Sequence, residues 1–200
     1  MEFRDVLRRR RMVRHFTDEA VADDVVEGIL AAALRAPSAG YSQGYALLVI
    51  REPEDRAKFW ASQPPTEQGA WDPALRAAIM RAPAVVAVLA SKDVYLDRYA
   101  RPDKGWTDRA ESRWPVPYWY VDAGFLALLM LLASVDAGLG ALLFGLIPEH
   151  IPAFRAAFGV PDDFDPVGCV AIGHEDPAAP RRDLRAARRP LEELIHHGSW

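Results

Sequence analysis

The sequence predicts an α+β fold, a mixed sheet wrapped by helices with one long helix at its centre. Three observations carry that expectation. Four short apolar runs of strand length, "YALLVIR" (45–51), "AVVAVLA" (84–90), "ALLFGL" (141–146) and "PVGCVAIG" (166–173), are separated by segments of helical character. The segment 117–137 is long and apolar enough to be a central helix. Half of the 200 residues are hydrophobic, so a sizeable core can be filled by one domain spanning 1–200.

The elements follow in order. Phe3, Val6 and Leu7 recur at helical spacing, which predicts a short amphipathic helix over 2–9. "VRHFTDEAV" breaks that pattern, and Asp23 or Asp24 can cap the next helix. There Val25, Val26, Ile29, Leu30, Ala33 and Leu34 form one apolar stripe. It stops at Pro37, because the residue before a proline is pushed out of helical geometry. The strand at 45–51 follows, then helices over 53–61 and 73–81, the strand 84–90, the helix 117–137, the strand 141–146, a helix over 148–158 and the strand 166–173. Continuous rather than alternating apolar runs imply strands buried on both faces.

Two stretches do not read as compact core. Residues 91–117, "SKDVYLDRYARPDKGWTDRAESRWPVP", are rich in charge and rings; a segment of this length is a lid, a binding loop or an added helix. Residues 174–200 form an arginine-rich tail ending in Trp200, which gains little by packing alone and is expected to lie across another subunit.

Composition narrows the function. A formal net charge of -4 argues against a general nucleic-acid or membrane-surface role, so the run Arg8 to Arg11 with Arg14 is a local feature on an acidic body. Cys169 is the single cysteine; no intrachain disulfide can form, which fits a reducing compartment. "MEFRDVLRRR" has no apolar stretch able to act as a secretory signal. "AGFLALLMLLASV" (123–135), bounded by Asp122 and Asp136, falls short of the roughly 18–20 apolar residues that span a bilayer and is read as a buried helix. A soluble, cytoplasmic protein is expected.

No familiar catalytic set is present: no Walker loop, GxGxxG, GxSxG or HExxH. His196 and His197 diverge whether in strand or helix, and no metal site is expected. Cys169 sits inside an apolar strand, the setting of an inert core thiol. What remains is positional. "RRMVRHF" (10–16) follows a short helix, "APSAGYSQGY" (36–45) lies between helix and strand, "GLGALLFGL" (138–146) follows the long helix, and "RAARRPLEEL" (185–194) lies in the tail. Arginines from both ends can converge on one dianion, because the guanidinium fork matches phosphate oxygens. Small residues in the second segment let backbone approach a flat ligand. Taken singly, an arginine run has a plainer explanation as a solvated face.

Taken together, and in this order along nearly the whole chain, the segments resemble the nitroreductase family of FMN-dependent oxidoreductases. That family opens with a motif matched here by Arg10, Arg11, Met12, Val13, Arg14, His15 and Phe16. It continues with a segment matched by Ala36, Pro37, Ser38, Ala39, Gly40, Tyr41, Ser42, Gln43, Gly44 and Tyr45. "YVDAG" at Tyr120 to Gly124 opens the central helix, and Arg188, Arg189 and Pro190 match the C-terminal motif. The resemblance implies a three-layer fold with a mainly antiparallel sheet, built as an intertwined homodimer with FMN at the interface and NAD(P)H as co-substrate. It implies that Arg10 and Arg11 hold the FMN phosphate, with Arg188 or Arg189 closing over it. Arg14 would reach the pyrimidine end of the isoalloxazine. Pro37, Ser38 and Ala39 would touch the flavin from the partner subunit, Tyr41 would sit near its substrate side with Gln43 also at the cofactor, and Leu142, Phe144 and Gly145 would form the turn against the ring. No protein side chain acts as catalyst in that scheme; the flavin carries the chemistry in a ping-pong cycle.

Three departures stand out. Met12 replaces the family serine and removes a hydroxyl donor to the phosphate; Met12 is still expected at the cofactor. Tyr41 replaces the family asparagine, and Gly44–Tyr45 replaces Pro–Trp. The acceptor pocket is expected to take a small aromatic molecule, a nitroaromatic or a quinone, between Tyr41, Tyr99, Trp106, Trp114 and Phe144; burial of these rings against a partner subunit is the alternative. Two other functions stay open. One is an FMN-binding member of the same fold with a specialised reaction, such as ene-reduction, dehalogenation or flavin fragmentation. The other is a non-enzymatic nucleic-acid binder acting through residues 8–14, whose affinity would fall steeply with salt.

Overall fold

The structure is a computed structural model, and it describes residues 1–66, 71–180 and 187–200. Seven α-helices and four strands are found there: α1 (Phe3–Arg9), α2 (Asp23–Ala33), β1 (Tyr45–Ile50), α3 (Pro53–Ala61), α4 (Pro73–Met80), β2 (Ala84–Ala90), α5 (Lys92–Ala100), α6 (Tyr118–Asp136), β3 (Gly140–Phe144), α7 (Ile151–Phe158) and β4 (Asp165–Gly173). The strands form one sheet in the order β1-β2-β4-β3, antiparallel at every pairing. Among the described residues the one parallel contact is an isolated bridge between Met12 and Ala141.

Helices cover both faces, which makes three layers. On one face α2 and α6 bring Val26, Ile29, Ala123, Ala127 and Met130 onto Ala84, Val86, Val88, Val170 and Ile172. On the other, Phe59 and Trp60 of α3, Ile79 of α4 and Phe154 of α7 pack onto Val85, Ala87, Cys169 and Ala171. Odd and even residues of β2 thus face different helix layers, as the strand's twofold periodicity requires.

Burial on both faces holds for β2, which is buried along its whole length, and for most of β4. It does not hold for β1. Tyr45 to Leu48 are only half-buried and Val49 is exposed, because β1 is an edge strand with one neighbour and incomplete cover. The N-cap of α2 is Ala22, without a side-chain bond; Asp23 and Asp24 sit in the first turn, where their charge favours the helix N-terminus. Residues 91–117 carry α5, an element beyond the helices assigned from periodicity, followed by a loop closed by ion pairs of Lys92 with Glu111 (2.7 Å) and Arg109 with Asp97 (2.8 Å).

The 19 residues of α6 make it the one described helix long and apolar enough to cross a membrane by length and composition, and half of it is packed inside the fold. Its inward side carries Trp119, Asp122, Ala123, Leu126, Ala127, Met130 and Leu131; Phe125 and Leu128 on the opposite side are exposed. In the tail Leu191, Leu194, Ile195 and Trp200 are all exposed.

Candidate functional site

The segment after α1 is laid against the sheet by its backbone. Val13 N–H donates to the Ala141 carbonyl at 2.9 Å, Thr17 N–H to His174 at 2.9 Å, and Asp176 N–H to the His15 carbonyl at 3.0 Å. Val13 and Phe16 turn inward and are buried. Close approach depends on Gly140, where a Cβ would stand 2.8 Å from a methyl of Val13. With its apolar residues anchored, the segment turns Arg14 into a cleft of about 340 Å³.

That cleft is assembled from three regions. Arg14 enters from the N-terminal segment; Leu142, Leu143, Phe144, Gly145 and Ile147 come from β3 and its continuation; Trp60, Gln63, Pro65, Trp71 and Arg76 come from around α3 and α4. The Phe144 and Trp60 rings stack at 5.8 Å and 11°, and Trp71 meets Phe144 edge-on at 5.4 Å. Gln63 is buried and holds the wall, its Oε1 accepting from Ile147 N–H at 3.1 Å. Arg76 lies over the Trp60 ring at 5.1 Å and donates to the Trp60 carbonyl at 3.0 Å; burial pushes its guanidinium below the usual arginine range. No carboxylate lines the cleft among the described residues, so two guanidiniums face an aromatic floor. The Trp60 indole N–H is buried without a partner among the described residues, and a Cβ at Gly145 would meet nothing described within 4 Å. Such a space suits a flat ligand with a polar or anionic edge.

The remaining candidate residues lie elsewhere. Met12 packs between both core clusters. Arg10 is the half-buried C-cap residue of α1, and Arg11 is ion-paired with Glu175. Arg188 and Arg189 stand on the exposed tail, with Arg189 Nε 3.0 Å from Glu193.

Pro37 to Gln43 form a tight loop ahead of β1. Ser38 Oγ accepts from Gln43 N–H at 3.0 Å, and Asp122 Oδ2 accepts from Ala39 N–H at 2.8 Å. Tyr41 is 76 % exposed and borders a second hollow with Gln43, Val94, Asp97, Arg98 and Arg101. β1 and β3 are opposite edges of the sheet, three strand spacings or ~14 Å apart. One chain therefore places the loop leading into β1 at the edge opposite Phe144.

Tyr99, Trp106 and Trp114 line neither space. They pack on one another, with Tyr99 4.5 Å from Trp114 and 4.9 Å from Trp106, and Trp114 reaches Tyr95 and Trp119 at 6.1 Å and 5.9 Å. In one chain these rings form an aromatic block at the start of α6.

Sequence reasoning did not single out Trp60, Gln63, Trp71 and Arg76 as site residues, nor Asp122 as more than a boundary of the apolar run. One signal was available for Asp122: a carboxylate one turn inside an otherwise apolar helix has to be bonded.

The sequence model of the nitroreductase family matches residues 7–174. The chain belongs to the nitroreductase family. Among similar nitroreductase-type proteins, one from Archaeoglobus fulgidus, provisionally named NADH dehydrogenase/NAD(P)H nitroreductase, is 26 % identical over 96 % of this chain and 94 % of its own. An NADH dehydrogenase of Thermus thermophilus is 26 % identical over 94 % of this chain and 91 % of its own. Solved nitroreductase structures share the fold. A family protein of Streptococcus pneumoniae superposes with a TM-score of 0.74 at 21 % identity, covering 98 % of this chain and 100 % of the other. A protein of Exiguobacterium sibiricum, provisionally named a nitroreductase and solved in complex with FMN, superposes at 0.73 with 19 % identity, covering 98 % and 97 %.

Proposed function

We propose that this nitroreductase-family chain is an FMN-dependent oxidoreductase that takes electrons from NAD(P)H and delivers them to a small aromatic acceptor, a nitroaromatic or a quinone. The observation that carries this reading is the convergence of Arg14 with Leu142, Phe144 and Gly145 on one aromatic-floored cleft free of carboxylates among the described residues. The names of the relatives support the NAD(P)H half, and the FMN held by a protein of the same fold supports the cofactor.

Guanidiniums are the chemistry that an FMN phosphate needs. Arg10 and Arg11, with Arg188 or Arg189, would hold the phosphate through charge-assisted bonds; Arg11 would exchange its Glu175 partner for it. When bound, FMN supplies the hydride and electron transfer in a ping-pong sequence. Arg14 contributes a fixed positive charge at the cleft, which favours negative charge developing beside it without reorganising water. Arg76 adds a second positive charge, and Trp60, Trp71 and Phe144 exclude solvent. Met12 has no hydroxyl to offer, so the phosphate depends on guanidiniums.

The same reading needs two copies of the chain. Pro37, Ser38, Ala39, Tyr41 and Gln43 stand at the edge of the sheet opposite the Arg14 cleft, so they reach a flavin there only from a partner subunit. The exposed Phe125 and Leu128 of α6, the exposed Phe3 and Leu7 of α1 and the exposed Leu191, Leu194 and Ile195 supply surface for such a homodimer. Residues 91–117 of one copy would then cover the acceptor site of the other. The unpaired Cys169 suits the cytoplasm, where NAD(P)H is supplied.

A visible absorption spectrum of the purified protein tests the reading: a bound flavin spectrum bleached anaerobically by NADH or NADPH and restored by a quinone supports it. A colourless protein that takes up no FMN defeats it. A specialised reaction on the same cofactor is the second reading, favoured by Tyr41 at the family's asparagine position with its ring held out in solvent. Flavin reduction by NAD(P)H without turnover of nitroaromatic or quinone would select it. Nothing specific favours nucleic acid, since Arg8 and Arg11 are paired with Asp5 and Glu175.

A further inference from the structure

We propose that Arg98 is a positioning residue that holds the Tyr41 loop in a strained conformation and thereby sets how the aromatic acceptor fits; this rests on the function proposed above. The loop needs a holder. Gly40, Tyr41 and Gln43 have φ of 60°, 54° and 53°, and in the left-handed region a tyrosine and a glutamine are disfavoured. Left alone, those two residues would relax to negative φ and redirect the Tyr41 ring.

Two pins oppose that relaxation at neighbouring residues. Asp122 Oδ2, from α6, accepts from Ala39 N–H at 2.8 Å. Arg98 Nε, from α5, donates to the Gly40 carbonyl at 2.9 Å. The Arg98 guanidinium is itself aimed by a bidentate pair with Asp103, Nη1 to Oδ1 at 2.9 Å and Nη2 to Oδ2 at 2.8 Å. Both remaining arms of the fork are thus taken, and the orientation of Nε is determined. The Tyr99 ring closes the third side: a Cβ at position 40 would stand 2.6 Å from Tyr99 Cε2, so only glycine passes. α5 and the turn after it therefore brace a loop that presents Tyr41 outward. Asp103 acts on Arg98, Arg98 on Gly40, and Gly40 on the direction of Tyr41.

The test uses the full-length protein and two variants, Arg98→Met and Asp103→Asn, with Arg98→Lys as the conservative control. Hydrogen exchange is read first, without flavin, at the amides of Tyr41 and Ser42, which close turns onto Ser38 and Ala39 carbonyls at 2.9 and 3.1 Å. Arg98→Met is expected to speed exchange there about tenfold, the effect of losing one charge-assisted hydrogen bond, while β2 amides keep their protection. With flavin loaded, Arg98→Met should raise the acceptor KM about tenfold with little change in kcat or in FMN affinity, and combining it with Tyr41→Ala should add nothing further. Arg98→Lys, which keeps the charge and loses the fork, should fall between. Should Arg98→Met fail to fold, Asp103→Asn is expected to give the same pattern in weaker form. Unchanged loop exchange, a loss of protection spread over β2, or a KM effect that adds to that of Tyr41→Ala would overturn the proposal. A protein without flavin would sink the proposed function and leave the exchange result to decide the role of Arg98.

Discussion

The Tyr95 hydroxyl donates a 2.7 Å hydrogen bond to Asp122 Oδ2, the same oxygen that accepts the Ala39 amide at 2.8 Å. A carboxylate only 2 % exposed on the long apolar helix thus joins α5, α6 and the loop ahead of β1. Removing the acceptor leaves the buried Tyr95 hydroxyl and the half-buried Ala39 amide unpaired. Asp122→Ala is expected to cost about 2–4 kcal/mol of unfolding free energy, and Tyr95→Phe, which removes one donor, about 1 kcal/mol. Urea unfolding followed by tryptophan fluorescence measures both; equal costs would contradict the shared role of the carboxylate.

The same pair has a pH signature. Burial, then the hydrogen bond to Asp122, push the Tyr95 phenol well above its ordinary value of 10.0. The folded state therefore holds that proton more tightly than the unfolded chain. The contribution is complete below pH 10 and is lost as pH rises beyond it. Stability of the wild type should fall more steeply above pH 10 than that of Tyr95→Phe, because Tyr120, also raised, titrates in both. Parallel curves would show that Tyr95 is not the titrating group.

Phosphate and ring contacts can be separated with two flavins. Arg10→Ala or Arg11→Ala should weaken FMN about tenfold or more and leave riboflavin unchanged, since riboflavin has no phosphate. Arg14→Ala should weaken both by about tenfold, because Arg14 lines the cleft proposed to take the ring. Quenching of flavin fluorescence on titration gives the affinities. Loss of riboflavin binding in the Arg10 variant would remove the phosphate assignment.

Gly124 lies in the middle of α6, where a Cβ would meet nothing within 4 Å in its own chain. A mid-helix glycine costs about 0.5–1 kcal/mol relative to alanine, so a lone chain would gain from replacing it. Its neighbours on the exposed side are Phe125 and Leu128. If α6 meets its counterpart there, Gly124→Leu yields monomers by sedimentation where the wild type is a dimer. A dimeric, stabilised Gly124→Leu would move the interface elsewhere.

Cys169 is fully buried in β4, and burial pushes its thiol far above the ordinary range. A thiol reagent should leave it untouched in the native protein and titrate one equivalent in denaturant. Fast native labelling would mean that β4 opens far more readily than its packing implies.

Much of this fold was legible locally. The limits of β2 and α3 coincide with runs 84–90 and 53–61, because a continuous apolar strand and a proline-opened amphipathic helix carry their own boundaries. The order of motifs identified the family and placed Arg14 with Leu142, Phe144 and Gly145. α5 escaped because Lys92–Ala100 mixes charge and rings without a clean stripe, and its identity depends on what it packs against.

Read alone, the sequence located the other six helices, the four strands and the family, since periodicity, prolines and motif order are local properties of the chain. Folding in three dimensions was needed to bring Trp60, Gln63 and Arg76 into a cleft with Arg14, to pin Ala39 with Asp122, and to stand the Tyr41 loop at the edge opposite Phe144. Those facts follow from the strand order β1-β2-β4-β3, whose pairings join residues far apart in the chain. A hydrophobic pattern records that a face must be buried; it does not record which distant face buries it.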